Sequence, residues 1–173
     1  MAIDFQPKIA RTRDGVSFTI RALRPDDFAL EDEFIRSLSE TSRYFRLMYA
    51  LKEPSVSFVQ HMVGIDGVAS MALAGVVQTG KQPHFIAVAR YGRNPDGHSA
   101  EFAIAVADAW QKRGVASQLL QELADYAHAH GIDRFEGQVL ATNYGMIDLC
   151  RWLKFDLRRS PEAGNVLIAT RKL

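Results

Sequence analysis

Cysteine is almost missing from this sequence. Cys150 stands alone among 173 residues, so no disulfide can close within the chain, and a reducing, cytoplasmic setting is expected. Long apolar runs are missing too. None approaches the roughly 18 residues that cross a bilayer, and Met1–Arg13 lacks the apolar stretch of a secretory leader. Net charge is only +1, so no general electrostatic pull draws the chain to nucleic acid or an anionic membrane, and neither is expected as a partner. No internal repeat, low-complexity tract or Ser/Pro-rich linker interrupts it. Several chemical signatures are absent as well. Without GxxxxGK[ST] there is no P-loop, and without GxGxxG after a first strand there is no Rossmann dinucleotide site. Ser39, Ser42 and Ser70 lie outside any G-x-S-x-G elbow, which disfavours a serine hydrolase. The five histidines have no ligand spacing, and His128 and His130 do not face one another on a helix, so no metal is expected.

What is present is ordinary globular material: 47% hydrophobic and 24% charged residues, enough for one real core. Residues 1–13 are expected as a flexible arm and 14–173 as one domain. Val16–Leu23 alternates as a strand. Pro25 stops it, and Asp26 and Asp27 suit the start of a helix reaching about Leu38. Ser39–Met48 reads as a second short helix with its own Ser/Thr cap, and Pro54–Met62 as a third helical piece. Ser70–Gln78, His84–Tyr91 and Glu101–Ala107 read as hairpin-linked antiparallel strands. Ala116, Leu119, Leu120, Leu123 and Ala127 then share one face of a strong helix that ends at His130-Gly131. Phe135–Leu140 is a strand, Asn143–Leu153 a helix, and Phe155–Arg159 and Val166–Arg171 closing strands. The order is roughly β-α-α-β-β-β-α-β-α-β-β. The fold class is α/β (α+β), a mixed sheet with helices on its faces.

The most informative segment is Val106–Ala116, where a strand runs through a tight turn into a helix that starts at a glycine. Helix N-termini offer unpaired N–H groups and a partial positive charge, a ready site for a phosphate or diphosphate. Gly114 and the small Ala116 let a ligand approach the backbone. Lys112 and Arg113 add charge for outer phosphates. On the local pattern alone, Gly114 could equally shape a purely structural turn.

Gln111-x-x-Gly114-x-Ala116 resembles the [Q/R]-x-x-G-x-[G/A] signature of the GNAT acetyltransferase superfamily. Asn143 falls just after the next strand, where GNAT enzymes often place a CoA-contacting Asn. Arg21–Asp27, Leu38–Arg46, Ala87–Asp96 and Ala100–Ala116 are similar to the GNAT domain of bacterial protein lysine acetyltransferases. The resemblance implies a GNAT fold, with a central mixed, mostly antiparallel sheet flanked by helices. It implies acetyl-CoA as co-substrate, held in a splay between Glu101–Ala107 and Phe135–Leu140. The pantetheine would pair with backbone near Ile104 and Val106 like an added half-strand. The diphosphate would take N–H groups from Gln111, Lys112, Arg113, Gly114, Val115 and Ala116. An N–H near Val106 would stabilise the oxyanion of the thioester carbonyl under amine attack.

The implied reaction is acetyl transfer to a primary amine, either a protein lysine or a small-molecule amine. An alkyl ammonium of pKa about 10.4 must lose a proton first. Glu101 is the candidate base, because related lysine acetyltransferases place a glutamate on this strand. Its plain alternative is a solvent-facing strand-end carboxylate. Strict alternation puts its side chain opposite those of Ile104 and Val106, and a β-bulge in this strand would re-aim it. Many GNAT enzymes protonate the departing thiolate with a tyrosine on the last helix. Here N-x-x-A-x-x-L-Y aligns with Asn143, Met146, Leu149 and Cys150. Cys150 replaces the tyrosine and reads as a small buried hydrophobe. Tyr44, Phe45, Tyr49 and Phe58 either line an acceptor cleft or pack in the core. A homodimer is compatible with the sequence. The alternative function is a catalytically silent module on the same fold that senses acyl-CoA or binds a partner.

Overall fold

In the computed structural model, residues 3–173 are described. Strand β1 (Lys8–Arg11) and β2 (Ser17–Ala22) come first, then helices α1 (Phe28–Ser37), α2 (Glu40–Leu47) and α3 (Val56–Val63). Three long strands follow: β3 (Ser70–Thr79), β4 (Gln82–Arg93) and β5 (Ser99–Val106). The chain ends with α4 (Val115–Ala129), β6 (Arg134–Leu140), α5 (Tyr144–Trp152), β7 (Asp156–Arg159) and β8 (Val166–Lys172). No described helix is long and apolar enough to cross a membrane.

The eight strands form one sheet in the order β1-β2-β3-β4-β5-β6-β8-β7. Every neighbouring pair is antiparallel except β5–β6. That exception follows from the connection: α4 carries the chain across one sheet face, so β6 must start again at the same end as β5. α4 and α5 share a core with Met71, Leu73, Ala89, Phe102 and Phe135. The opposite face packs Phe34 of α1 and Val59 of α3 on Ala72, Ala74 and Val88. Because β3 and β4 are covered on both sides, their sequences run apolar without alternation. Leu119, Leu120 and Leu123 of α4 are each at most 2% exposed. Such side chains contribute about 1.5–3 kcal/mol apiece.

Local signals account for the helix ends. Ser39 Oγ accepts from Ser42 N–H at 3.1 Å and Ser55 Oγ from Phe58 N–H at 3.2 Å. Gly131, with φ +80°, follows the end of α4 as expected. The segment expected as an arm behaves differently. Met1 and Ala2 lie outside the described residues, but Lys8–Arg11 pairs with β2 from Lys8↔Ile20 to Arg11↔Ser17. The connecting turn is closed by Thr12 N–H to Val16 O at 2.9 Å. Ile9 is 82% exposed, so backbone bonding holds this edge strand with little apolar packing, and its sequence carries no alternation to read.

Candidate active site

The middle of the sheet opens where its one parallel pair stops. β5 and β6 are bonded only from Ser99↔Arg134 to Glu101↔Glu136. Beyond that point β6 continues to Leu140 against β8, while Phe102–Val106 of β5 keeps only β4. Asn94 N–H donates to Ser99 O and Ala107 N–H to Ile86 O, both at 2.8 Å, which fixes the direction of alternate peptides. The odd-numbered residues of β5 therefore bond β4. The N–H and C=O groups of Phe102, Ile104 and Val106 point toward the departing β6. Backbone groups in such a gap call for partners, and an extended polar ligand supplies them. Phe102 holds the fork. Its ring stacks on Phe135 at 5.7 Å and lies 4.9 Å from Phe155, above Gly137 of β6.

At the end of β5 a 3₁₀ turn, Asp108–Trp110, leads to the loop ahead of α4. Lys112 has φ +59° and Gly114 φ +81°, two left-handed residues of the kind that bring successive N–H groups together in anion-binding turns. None of the N–H groups of Lys112, Arg113, Gly114, Val115 or Ala116 makes a well-formed hydrogen bond within the described residues. The side chains near them are less free than their sequence suggests. Gln111 Nε2 donates to Val106 O at 3.1 Å and to Ser42 Oγ at 3.2 Å, bracing the loop. Arg113 is committed to Asp14 through two bonds of 2.9 and 2.7 Å and lies 4.3 Å over the Trp110 ring. The Arg113 and Thr12 hydrogen bonds hold the Asp14 carboxyl down at about 2. The cation that sequence missed is Arg13, whose side chain lies against Gly114 and whose N–H donates to Arg113 O at 2.9 Å.

Asp108 is the second group that sequence missed. It accepts from Ser39 N–H at 3.0 Å, Ser39 Oγ at 2.8 Å and Ser42 Oγ at 2.9 Å, tying α2 to the loop. Burial alone would raise its pKa, but these hydrogen bonds outweigh it and lower the carboxyl below its ordinary value. Ser39 also caps α2. Ser39→Ala should therefore lower the unfolding free energy by about 1 kcal/mol, read as a shifted urea midpoint at constant m.

Asn143 stands at the end of the β6 connection as the cap of α5, its Oδ1 accepting from Met146 N–H at 3.2 Å. Its amide N–H groups remain available to a ligand. Cys150 is 1% exposed in the core beneath α5, and burial pushes its thiol up to about 12, the setting of a small packed hydrophobe.

Glu101 sits at the fork, on the last residue of the β5–β6 pairing. The bulge considered for β5 is not there: its ladder with β4 runs unbroken from Val106 to Ala100. The irregularity lies one strand away, where Ile86 of β4 is the extra residue between Phe85↔Val76 and Ala87↔Gly75. Glu101 therefore keeps the face set by alternation, opposite the Ile104 and Val106 side chains. It is exposed, and lines an open cleft of ≈ 420 Å³ together with Arg46, His61, Arg90 and Asn94. Of the expected aromatic lining, only Phe58 packs partly into the core beneath α1 and α3. Tyr44 and Tyr49 are exposed at 42% and 49%.

A model of the acetyltransferase (GNAT) family matches residues 26–155. Over 155 residues the chain is 31% identical to Acetyltransferase PA5475 of Pseudomonas aeruginosa, covering 90% of this chain and 83% of that protein. The crystal structure of the GNAT domain of S. lividans PAT has a TM-score of 0.88 and 32% identity, covering 96% of this chain and 97% of that one. The structure of yncA from Salmonella typhimurium with its cofactor acetyl-CoA has a TM-score of 0.73 over 90% of this chain and 94% of that one. At 19% identity it shares the fold alone.

Proposed function

This chain belongs to the acetyltransferase (GNAT) family, and we propose that it carries an acetyl group from acetyl-CoA to a primary amine with Glu101 as general base. The observation that supports this most is the open β5 edge. The peptide groups of Phe102 and Ile104 and the N–H of Val106 face a gap that ends at five free N–H groups from Lys112 to Ala116. An amide-bearing arm fits the first stretch and a diphosphate the second. Acetyl-CoA supplies both, with a thioester whose carbonyl an amine can attack.

The chain's own parts then divide the work. Ile104 and Val106 hold the pantetheine, and the Val106 N–H stabilises charge developing on the thioester oxygen. Val115 and Ala116 take the diphosphate with Gly114, while Arg13 and Lys112 face the outer phosphates. The Asn143 amide contacts the carrier across the gap. Glu101, on the acceptor side of the sheet, removes the proton that an ammonium must lose before attack. The buried Cys150 leaves protonation of the departing thiolate to water.

Cys150 also motivates the second reading, an acyl-CoA-sensing or partner-binding module without turnover. Two measurements separate these. Acetyl-CoA at 100 times its Kd should stabilise the fold by roughly 2.7 kcal/mol, seen as a raised Tm. Thiol release from acetyl-CoA in the presence of an amine panel should then exceed the rate without amine. Binding without release favours the sensor, and no thermal shift at millimolar acetyl-CoA defeats both readings.

A further inference from the structure

The acceptor side of the sheet carries more positive charge than it neutralises. Arg43 and Arg46 of α2 and Arg90 of β4 gather around Glu31, with Glu101 the further acid near them. Arg90 is engaged: it donates to Glu31 Oε1 at 2.6 Å and to Met62 O at 2.9 Å. Arg43 donates to Lys52 O. Arg46 has no such partner. Its guanidinium makes no hydrogen bond or ion pair among the described residues, and its neighbours act on it only through space. Burial and nearby Arg90 push its pKa down to about 10, against the opposing pull of Glu31 and Glu101. It is a cation at neutral pH.

This half-buried guanidinium offers five donors, finds no acceptor in the protein and keeps its nitrogens open to solvent, so it is free to take an acceptor from a ligand. It opens on the same ≈ 420 Å³ cleft as Glu101. That volume suits a small molecule. The cleft thus offers two charges of opposite sign: the Glu101 carboxylate and the unclaimed planar fork of donors on Arg46.

We propose that Arg46 reads the acceptor by taking its carboxylate, so that the amine acetylated belongs to a small amino-acid-like molecule. This rests on the acetyl-transfer reading above and specifies its substrate class. The amine of such a molecule faces Glu101 while its carboxylate lies on Arg46, a geometry that guanidinium meets with two parallel bonds. A polyamine would bring further cations against Arg46 and Arg90, and a lysine side chain on a protein brings no carboxylate of its own.

The test compares acetyl-CoA turnover on L-lysine, L-methionine and L-phenylalanine with their carboxamides, with spermidine, and with a lysine peptide blocked at both ends. The free acids should exceed the amides in kcat/KM by at least about tenfold, and up to roughly 10²-fold. In Arg46→Met this ratio should collapse toward one, chiefly through KM, while Arg46→Lys retains part of it. Arg46→Met should melt near the parent temperature, since the guanidinium makes no hydrogen bond or ion pair among the described residues, and a melting curve run beside the kinetics separates misfolding from lost recognition. Equal use of acids and amides by the parent protein overturns the proposal, as does preference for spermidine or the blocked peptide. So does an Arg46→Met effect confined to succinyl-CoA as donor, which would assign the carboxylate to the acyl group. A readout without turnover keeps the two readings apart. N-acetyl-L-methionine should shift the Arg46 Nε–H resonance in a ¹⁵N titration. If acetyl-CoA fails to bind, the acetyl-transfer reading falls, and this titration alone decides for or against a carboxylate site.

Discussion

Glu101→Gln should lower kcat by about 10²-fold or more at neutral pH while leaving the affinity for acetyl-CoA near that of the parent. Glu101 lines the open cleft, and the carrier is proposed to bind through the backbone of β5 and the loop before α4. Loss of the base should therefore touch the chemical step and not the grip on CoA. The side chain is exposed and makes no hydrogen bond or ion pair among the described residues, so its amide should change stability by no more than about 0.5 kcal/mol. The pH profile makes the test specific. An amine near pKa 10.4 is only about 0.04% deprotonated at pH 7 and gains roughly tenfold in free base per pH unit. Without a base the variant depends on that free amine. Its rate should climb with pH toward the amine pKa, and its deficit against the parent should shrink. A uniform deficit across pH would show that Glu101 shapes the site without accepting the proton. Unchanged kcat would remove it from the mechanism.

The second large effect belongs to a residue with no chemistry at all. A Cβ at Gly137 would stand 2.6 Å from Phe102 Cε1 and 2.9 Å from Cζ, closer than packed atoms come. The ring has little room to withdraw, being stacked on Phe135 and in tilted contact with Phe155. Gly137→Val should destabilise by about 1–3 kcal/mol through overpacking, or roughly 3–10 °C in Tm for a chain of this size. Phe102 lies one residue beyond the last β5–β6 pair, so the push also reaches the gap. KM for acetyl-CoA should rise along with the loss of stability. Phe102→Leu placed in the same chain should return part of both, because the two positions are in contact and couple non-additively. A Gly137→Val protein that melts like the parent would mean that the fork is softer than its packing indicates.

These two residues differ in how far sequence exposes them. Glu101 begins an apolar strand leading into a glycine turn, and both features are local. The same holds for the Gly114 loop, the Leu119–Leu123 face of α4 and the Ser39 cap, where each signal lies within one turn of helix or one strand. Gly137 carries no local mark. Its constraint comes from Phe102, and only the crossover through α4 brings the two strands side by side. Distance in sequence also hid the Asp108–Ser39 tie, separated by 69 residues, and the Asp14–Arg113 pair, separated by 99. Arg113 looked like a phosphate ligand because its neighbours in sequence said nothing of Asp14. Asn143 illustrates another limit. One side chain can cap a helix with its oxygen and offer its nitrogen elsewhere, and sequence position alone does not separate those uses. The bulge fell in β4 rather than β5 because a register shift is a property of a strand pair.

The turn between β1 and β2 has a practical bearing on how this chain can be shortened. An investigator trimming the first residues to aid crystallisation would regard everything before Val16 as dispensable. Yet the strut to Arg113 O comes from Arg13, and the anchor of the Arg113 guanidinium from Asp14. A cut at that point spares the sheet centre but leaves the glycine turn without its outer wall.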